Sequence, residues 1–578
     1  MCDQNSLAND LFDRFWTWRL QNAPEFATAI GKHDYDDRLD EMSLPSYLRR
    51  RDAAQSFLDE VKKLLLSAPT TDRSLTLNLN LLKLDLESFI EGNEHRTYTF
   101  PINQLEGPQI DFPRLISYTK KSSSDEYNKL FQRLKLFPRQ IEEVITLMKT
   151  GIQENRTMHS ISIEKVPGQL MEVAATSVDD SKFFDGFKKK PESISTDEWD
   201  EIVKTGRELI SELVLPAYTK LANFIDDEYK SHTRSEIAAS SLPNGQEYYK
   251  QCLKFHTSTN WSAQEIHDLG KREVEKINIK MKDVMNQVNF LGGISQFKTF
   301  MKTDAQFKFM SKEDMLNKYN ETAAKIADVL PKYFKRTPVI RYSITEVPAE
   351  VADSFPTAYY LAPPEDGTRP GTFFLNTHEP ETRNRYEAVA LSLHEAEPGH
   401  HLQSALTMEQ DSLVDFRRFM EDRKYYEPPA RFAMNTAYVE GWGLYSEYLG
   451  EEMGLYTDPY DMFGRLSYEM LRACRLVVDT GMHALGWSKQ EAVNYMVQNT
   501  VASEGEVDAE IDRYITWPGQ ACGYKVGELK IKELRRKAEM SLGEKFDVRE
   551  FHDMVASIGG VPMHALETQV DEFIETFK

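Results

Sequence analysis

Strand-forming pattern in this chain is confined to one stretch, residues 338–377, and that confinement limits the fold more than any other feature. "PVIRYSITEVP" alternates in part and is rich in β-branched residues, "TAYYLAPP" is a short apolar run, and "DGTRPGTFFLNT" supplies a turn and then a strand from Thr372 to Leu375. Elsewhere the apolar residues recur at helical spacing, as at Leu58, Val61, Leu64 and Leu65. "TDEWDEIVKTGRELISELVLPAYTKLANFIDDEYK" reads as helix that ends or kinks at Pro216, and Ser262 with Glu265 forms a capping box before another. The expected fold is mainly α, a large helical protein with a small sheet. We expect one unit over residues 1–578, with a helical lobe over 1–335 and a lobe holding the sheet over 336–578.

Composition excludes several function classes. The 578 residues carry 70 Lys and Arg against 92 Asp and Glu, a net charge of −22, which argues against nucleic acid or an anionic membrane as the main partner. The Lys188-Lys189-Lys190 run reads as a solvated loop. Four dispersed cysteines, Cys2, Cys252, Cys474 and Cys522, form neither a disulfide framework nor a zinc knuckle. No secretory leader or spanning segment is evident, so a cytoplasmic location is the expectation. A Gly-rich phosphate loop and a G-x-S-x-G elbow are both missing.

The sheet signals lead straight into "PETRNRYEAVALSLHEAEPGHHLQ", which reads as a helix over 380–397 with Pro380 near its first turn; near its end His394 and Glu395 begin like the zinc-protease pattern H-E-x-x-H. The second histidine of that pattern would stand at 398, which is Pro398. In a regular helix His400 would sit about 240° around and ~9 Å along from His394, too far for one ion. Pro398 breaks the backbone ladder and Gly399 accepts unusual conformations, so a bulge or kink there would bring His400 to the second-ligand position. His400 needs a smaller bulge than His401, which is left to contact substrate. Three of the chain's 13 histidines within eight residues make a chance grouping a poor explanation.

Zinc enzymes want a third protein ligand and a free position for water. In "RFAMNTAYVEGWGLYSEYLGEE", Glu440 stands in an otherwise apolar turn and is the candidate; Glu447, nearer the polar end, suits a supporting role. Arg475, Asp479 and His483 form one polar stripe, either an ion-pair ladder or a set in which Asp479 orients a neighbour and His483 faces substrate. In "RYITWPGQACGYKVGELKI", Tyr524 is a candidate donor to a developing oxyanion, with His483 as the alternative donor and Arg513 and Gln520 as substrate contacts.

"HEAEPGHHLQ", "AYVEGWGLYSEYLG", "RACRLVVDTGMHALGWS" and "RYITWPGQACGYKVGELKI" together resemble the family catalogued as domain of unknown function 885, whose hallmark is H-E-x-x-P-G-H followed by E-G-W. Upstream segments such as "FHTSTNWSAQEIHDLG" fit as well, so the resemblance spans nearly the whole chain. That family is similar to the helical, zincin-like zinc peptidases of the thimet oligopeptidase and carboxypeptidase Taq groups. The similarity implies His394, His400 and Glu440 as ligands of one zinc ion and Glu395 as general base. It also implies a peptide or small amide as substrate, with short peptides favoured. Two alternatives stand beside this expectation: a metal-dependent hydrolase of a non-peptide amide or ester, and a non-catalytic helical binding protein.

Overall fold

The computed structural model describes residues 4–67, 72–348, 352, 357–421, 424–432 and 434–578, so Cys2 lies outside the described residues. Serine caps open many of the helices. Ser123, Ser195, Ser262, Ser311, Ser488 and Ser503 each accept a backbone N–H from three residues on. At Ser262, Ser488 and Ser503 a glutamate returns the bond, which completes the capping box and satisfies two otherwise orphaned donors. Pro216 does not end its helix. A π-helical turn over Ile210–Val214 runs directly into the α-helix Leu215–Asp227, so the helix continues through Pro216, with the wider turn just before the proline.

The sheet has three strands, β1 (Tyr342–Glu346), β2 (Ala358–Leu361) and β3 (Gly371–Leu375), in the order β1-β3-β2. β1 runs parallel to β3, with Tyr342 opposite Gly371, and β2 runs antiparallel, with Ala358 opposite Leu375. Phe373 and Leu375 of the central strand pack on Ala388, Leu391 and Ala396. The sheet is thereby fixed against the histidine segment.

That segment is less helical than its sequence implies. Residues 380–387 form two short 3-10 turns, and the α-helix begins at Ala388. Arg383 and Asn384 are extended, and Asn384 pairs as a bridge with Lys308, whose Nζ also reaches the Asn384 Oδ1 at 2.7 Å. Tertiary pairing here overrides local propensity.

The apolar core does not divide at residue 335. Val274, Ile277 and Met281 of the helix Ala263–Gln287 pack with Met470, Cys474 and Val478 of the helix Pro459–Ala484. A second cluster joins Val389 and Leu393 to Leu402, Tyr438, Trp442, Ile531 and Phe551. Burial of each such side chain stabilises by roughly 1.5–3 kcal/mol. The cluster places the helices Ala388–Glu395, His400–Met408, Thr436–Glu452 and Gly523–Leu542 around one point. Among the described residues no helix is long and apolar enough to cross a membrane.

Candidate metal centre

All eight residues of the helix Ala388–Glu395 are buried, and the helix stops at Ala396. A new helix starts at His400. The chain rejoins its own ladder across the break, with the N–H groups of His401 and Leu402 both reaching the Ala396 carbonyl, at 3.1 and 3.4 Å. Gly399 makes this possible: a Cβ there would lie 1.9 Å from the His394 carbonyl oxygen. The expected bulge is thus a full break between two helices. Its effect is to set the His394 and His400 rings 4.7 Å apart between centroids, nearly perpendicular at 88°.

Glu440 enters from the helix Thr436–Glu452. Its Oε2 lies 3.4 Å from His394 Nε2 and 3.5 Å from His400 Nε2. Both distances exceed the usual 2.7–3.2 Å of an N–H···O bond, so the three groups converge with a gap between them. One donor atom from each of His394, His400 and Glu440 falls within 4.8 Å of the other two.

The glycines of "EGWG" have steric reasons. A Cβ on Gly443 would lie 2.7 Å from His394 Cε1, and one on Gly441 would lie 2.5 Å from the backbone of Gly527. The first vacancy admits the ligand ring and the second lets the helix Gly523–Leu542 approach. Trp442, fully buried, donates its indole N–H to the Pro398 carbonyl at 2.7 Å and so ties the break to the glutamate helix.

Glu447 stands behind His394, with its Oε1 2.7 Å from Nδ1. An Nδ1–H donated to that carboxylate leaves the Nε2 lone pair directed toward Glu440, the tautomer a metal requires. Burial opposes charge on His394, but the carboxylates of Glu440 and Glu447 beside it win and hold it up at about 9. Glu440 is held well below the ordinary carboxylate range, against its burial, by the two histidines. A cation between these groups would bind the neutral imidazoles and the ionised carboxylate. Two nitrogens and one oxygen at this spacing, with a carboxylate behind one imidazole, fit a zinc-type divalent ion.

Glu395, the last residue of its helix, is 8 % exposed and adjoins the first ligand in sequence. Tyr524 begins the helix Gly523–Leu542. Burial and the neighbouring Glu440 carboxylate raise its phenol above the ordinary value, while Arg513, Arg475 and Gln520 pull the other way. Arg513 Nη1 lies 3.4 Å from Gln520 Oε1. The structure therefore brings Tyr524, Gln520 and Arg513 together, with Tyr524 the member next to Glu440. Asp479 supports them from below: it accepts the Gly519 N–H at 3.1 Å and the Tyr249 hydroxyl at 2.6 Å, anchoring the turn that carries Gln520.

Two expected roles do not survive the geometry. His483 is fully buried, its Nδ1 accepting the Ala239 N–H at 2.9 Å and its Nε2 against the Tyr514 carbonyl at 2.9 Å, so no ring nitrogen is left for substrate. His401 is also fully buried and locks the sheet to its helix, with Nδ1 3.0 Å from the Tyr360 hydroxyl and Nε2 3.1 Å from the Ile340 carbonyl. Arg472 was not expected at the site. It lies on the same face as Arg475, 3.9 Å from Glu447, and its position three residues before Arg475 on a largely apolar helix was the available signal.

The family described as "Bacterial protein of unknown function (DUF885)" matches residues 24–570. The chain belongs to this DUF885 family. Its fold is shared with the crystal structure of a candidate lipoprotein from Colwellia psychrerythraea, 27% identical with a TM-score of 0.91, over 99% of this chain and 100% of that one. A candidate lipoprotein of unknown function from Shewanella oneidensis, 18% identical with a TM-score of 0.74 over 98% and 100% of the two chains, shares the fold alone. No curated protein matches the DUF885 chain. Both relatives are described as lipoproteins, a description that the cytoplasmic expectation for this chain does not share.

Proposed function

We propose that this DUF885 protein is a zinc-dependent metallopeptidase acting on short peptides. The observation that carries the reading is the convergence of His394, His400 and Glu440 donor atoms within 4.8 Å, from three separate helices. A bound zinc ion would supply Lewis acidity, polarising a carbonyl and lowering the pKa of water.

The remaining roles fall to side chains. Glu395, next to the first ligand, takes the proton from the attacking water and returns it to the leaving amine. Tyr524 donates its hydroxyl proton as a hydrogen bond to the oxyanion that forms, a role its raised phenol suits because it stays protonated at neutral pH. Glu447 keeps His394 in the ligating tautomer.

The test combines metal content with turnover. Glu395→Gln should retain zinc while losing nearly all hydrolysis of a short-peptide library. Turnover of acyl-amino acids or esters without any peptide cleavage would move the assignment to a non-peptide hydrolase. Full hydrolysis by Glu395→Gln would remove Glu395 as the base, and no hydrolysis of any of these substrates by wild type would leave a binding protein.

A further inference from the structure

Three arginines gather around Tyr524. Arg472 and Arg475 of the helix Pro459–Ala484 flank Tyr524, their guanidinium carbons 5.9 and 4.5 Å from its ring centroid. Arg513, from the helix Glu504–Thr516, completes the group. Arg475 and Arg513 share one carboxylate, Glu510, at 2.9 and 3.3 Å, and the Tyr514 hydroxyl donates to that carboxylate too. Arg472 approaches only Glu447, which is already engaged by His394. Two guanidinium groups thus share one carboxylate.

The hydrogen bonding is incomplete in the same place. Arg472 Nε, Arg475 Nη1 and Arg513 Nε are buried with no partner among the described residues. The Arg475 side chain is only 6% exposed. Unmatched donors in a buried setting are unfavourable unless an acceptor completes them, and an anion is the acceptor that suits guanidinium groups. This chain has a net charge of −22, so an arginine cluster around Tyr524 is not a by-product of composition. Arg513 is the member that reaches the surface, at 18% exposed.

We propose that Arg513, with Gln520 and Tyr524 beside it and Arg475 behind it, binds a carboxylate of the substrate, so that the enzyme acts on short peptides held by that group. The assignment rests on the peptidase reading for the word substrate, but the anion site itself does not. A guanidinium meets a carboxylate through two parallel N–H···O bonds, which gives direction as well as attraction. The carboxylate has two sources in a peptide, the chain end or an Asp or Glu side chain.

Calorimetric titration of the full-length Glu395→Gln protein separates these sources without hydrolysis. The probes are tri-alanine, tri-alanine amide and Ala-Ala-Glu amide. Tri-alanine should bind about ten-fold or more tightly than its amide. Arg513→Met should erase that preference, and Arg513→Lys, which keeps the charge, should retain part of it and guard against a folding defect. Recovery of affinity by Ala-Ala-Glu amide assigns the carboxylate to a side chain; no recovery assigns it to the chain end. Equal binding of all three probes, no binding of any probe, or a preference that survives Arg513→Met would overturn the proposal. A protein that discriminates acid from amide yet never turns over peptides would refute the peptidase reading and leave the anion site standing.

Discussion

His394 Nδ1 lies 2.7 Å from Glu447 Oε1, and both side chains are buried. Their pairing decides which imidazole nitrogen faces Glu440. Glu447→Gln keeps the shape but weakens the acceptor and no longer fixes the tautomer. Loss of such a partner weakens metal binding by about 10–100-fold. Competition with a fluorescent chelator measures it, and an unchanged zinc affinity would refute the supporting role.

Gly443 is expected to be intolerant for a local reason. The alanine Cβ would meet the His394 ring at 2.7 Å and push it from Glu440. Gly443→Ala should lower zinc affinity and melting temperature together. Gly505, in the helix Glu504–Thr516, has nothing within 4 Å of an added Cβ, so Gly505→Ala should instead stabilise by about 0.5–1 kcal/mol. Thermal melts of the two variants give opposite signs if the steric argument holds.

Asp479 should impose a pH dependence on stability. Burial, more than the bonds from Tyr249 and Gly519 relieve, pushes its carboxyl from 3.8 up to about 7. The folded state therefore keeps a proton that the unfolded chain releases above about pH 4. Stability from this group is complete below that pH and is lost as pH rises toward 7, with a limiting slope of about 1.4 kcal/mol per pH unit. Asp479→Asn should flatten the melting temperature between pH 4 and 7 relative to wild type. An identical pH profile in the variant would show that Asp479 titrates normally.

The His394, His400 and Glu440 grouping was legible because residue type and spacing carry it: a proline–glycine pair explains a six-residue gap, and an acid in an apolar turn needs a partner. The small sheet was legible from β-branched runs bounded by turn residues. Helical spacing identified the face of His483 but not its partners, since the Ala239 N–H lies 244 residues away and the Tyr514 carbonyl belongs to another helix. His401 was misread for the same reason, its Tyr360 and Ile340 partners coming from the sheet region. The early part of the helix read over 380–397 failed because Lys308 pairs with Asn384, a contact that no local pattern encodes.

Zinc stoichiometry is the most direct measurement, by elemental analysis of purified wild type, His400→Ala and His401→Ala. One zinc per chain is expected in wild type and in His401→Ala, which should lose stability instead because its partners in the sheet are left unpaired. His400→Ala should lose the metal. Wild-type protein without bound metal, or zinc retained in His400→Ala and lost in His401→Ala, would contradict the metal centre described above.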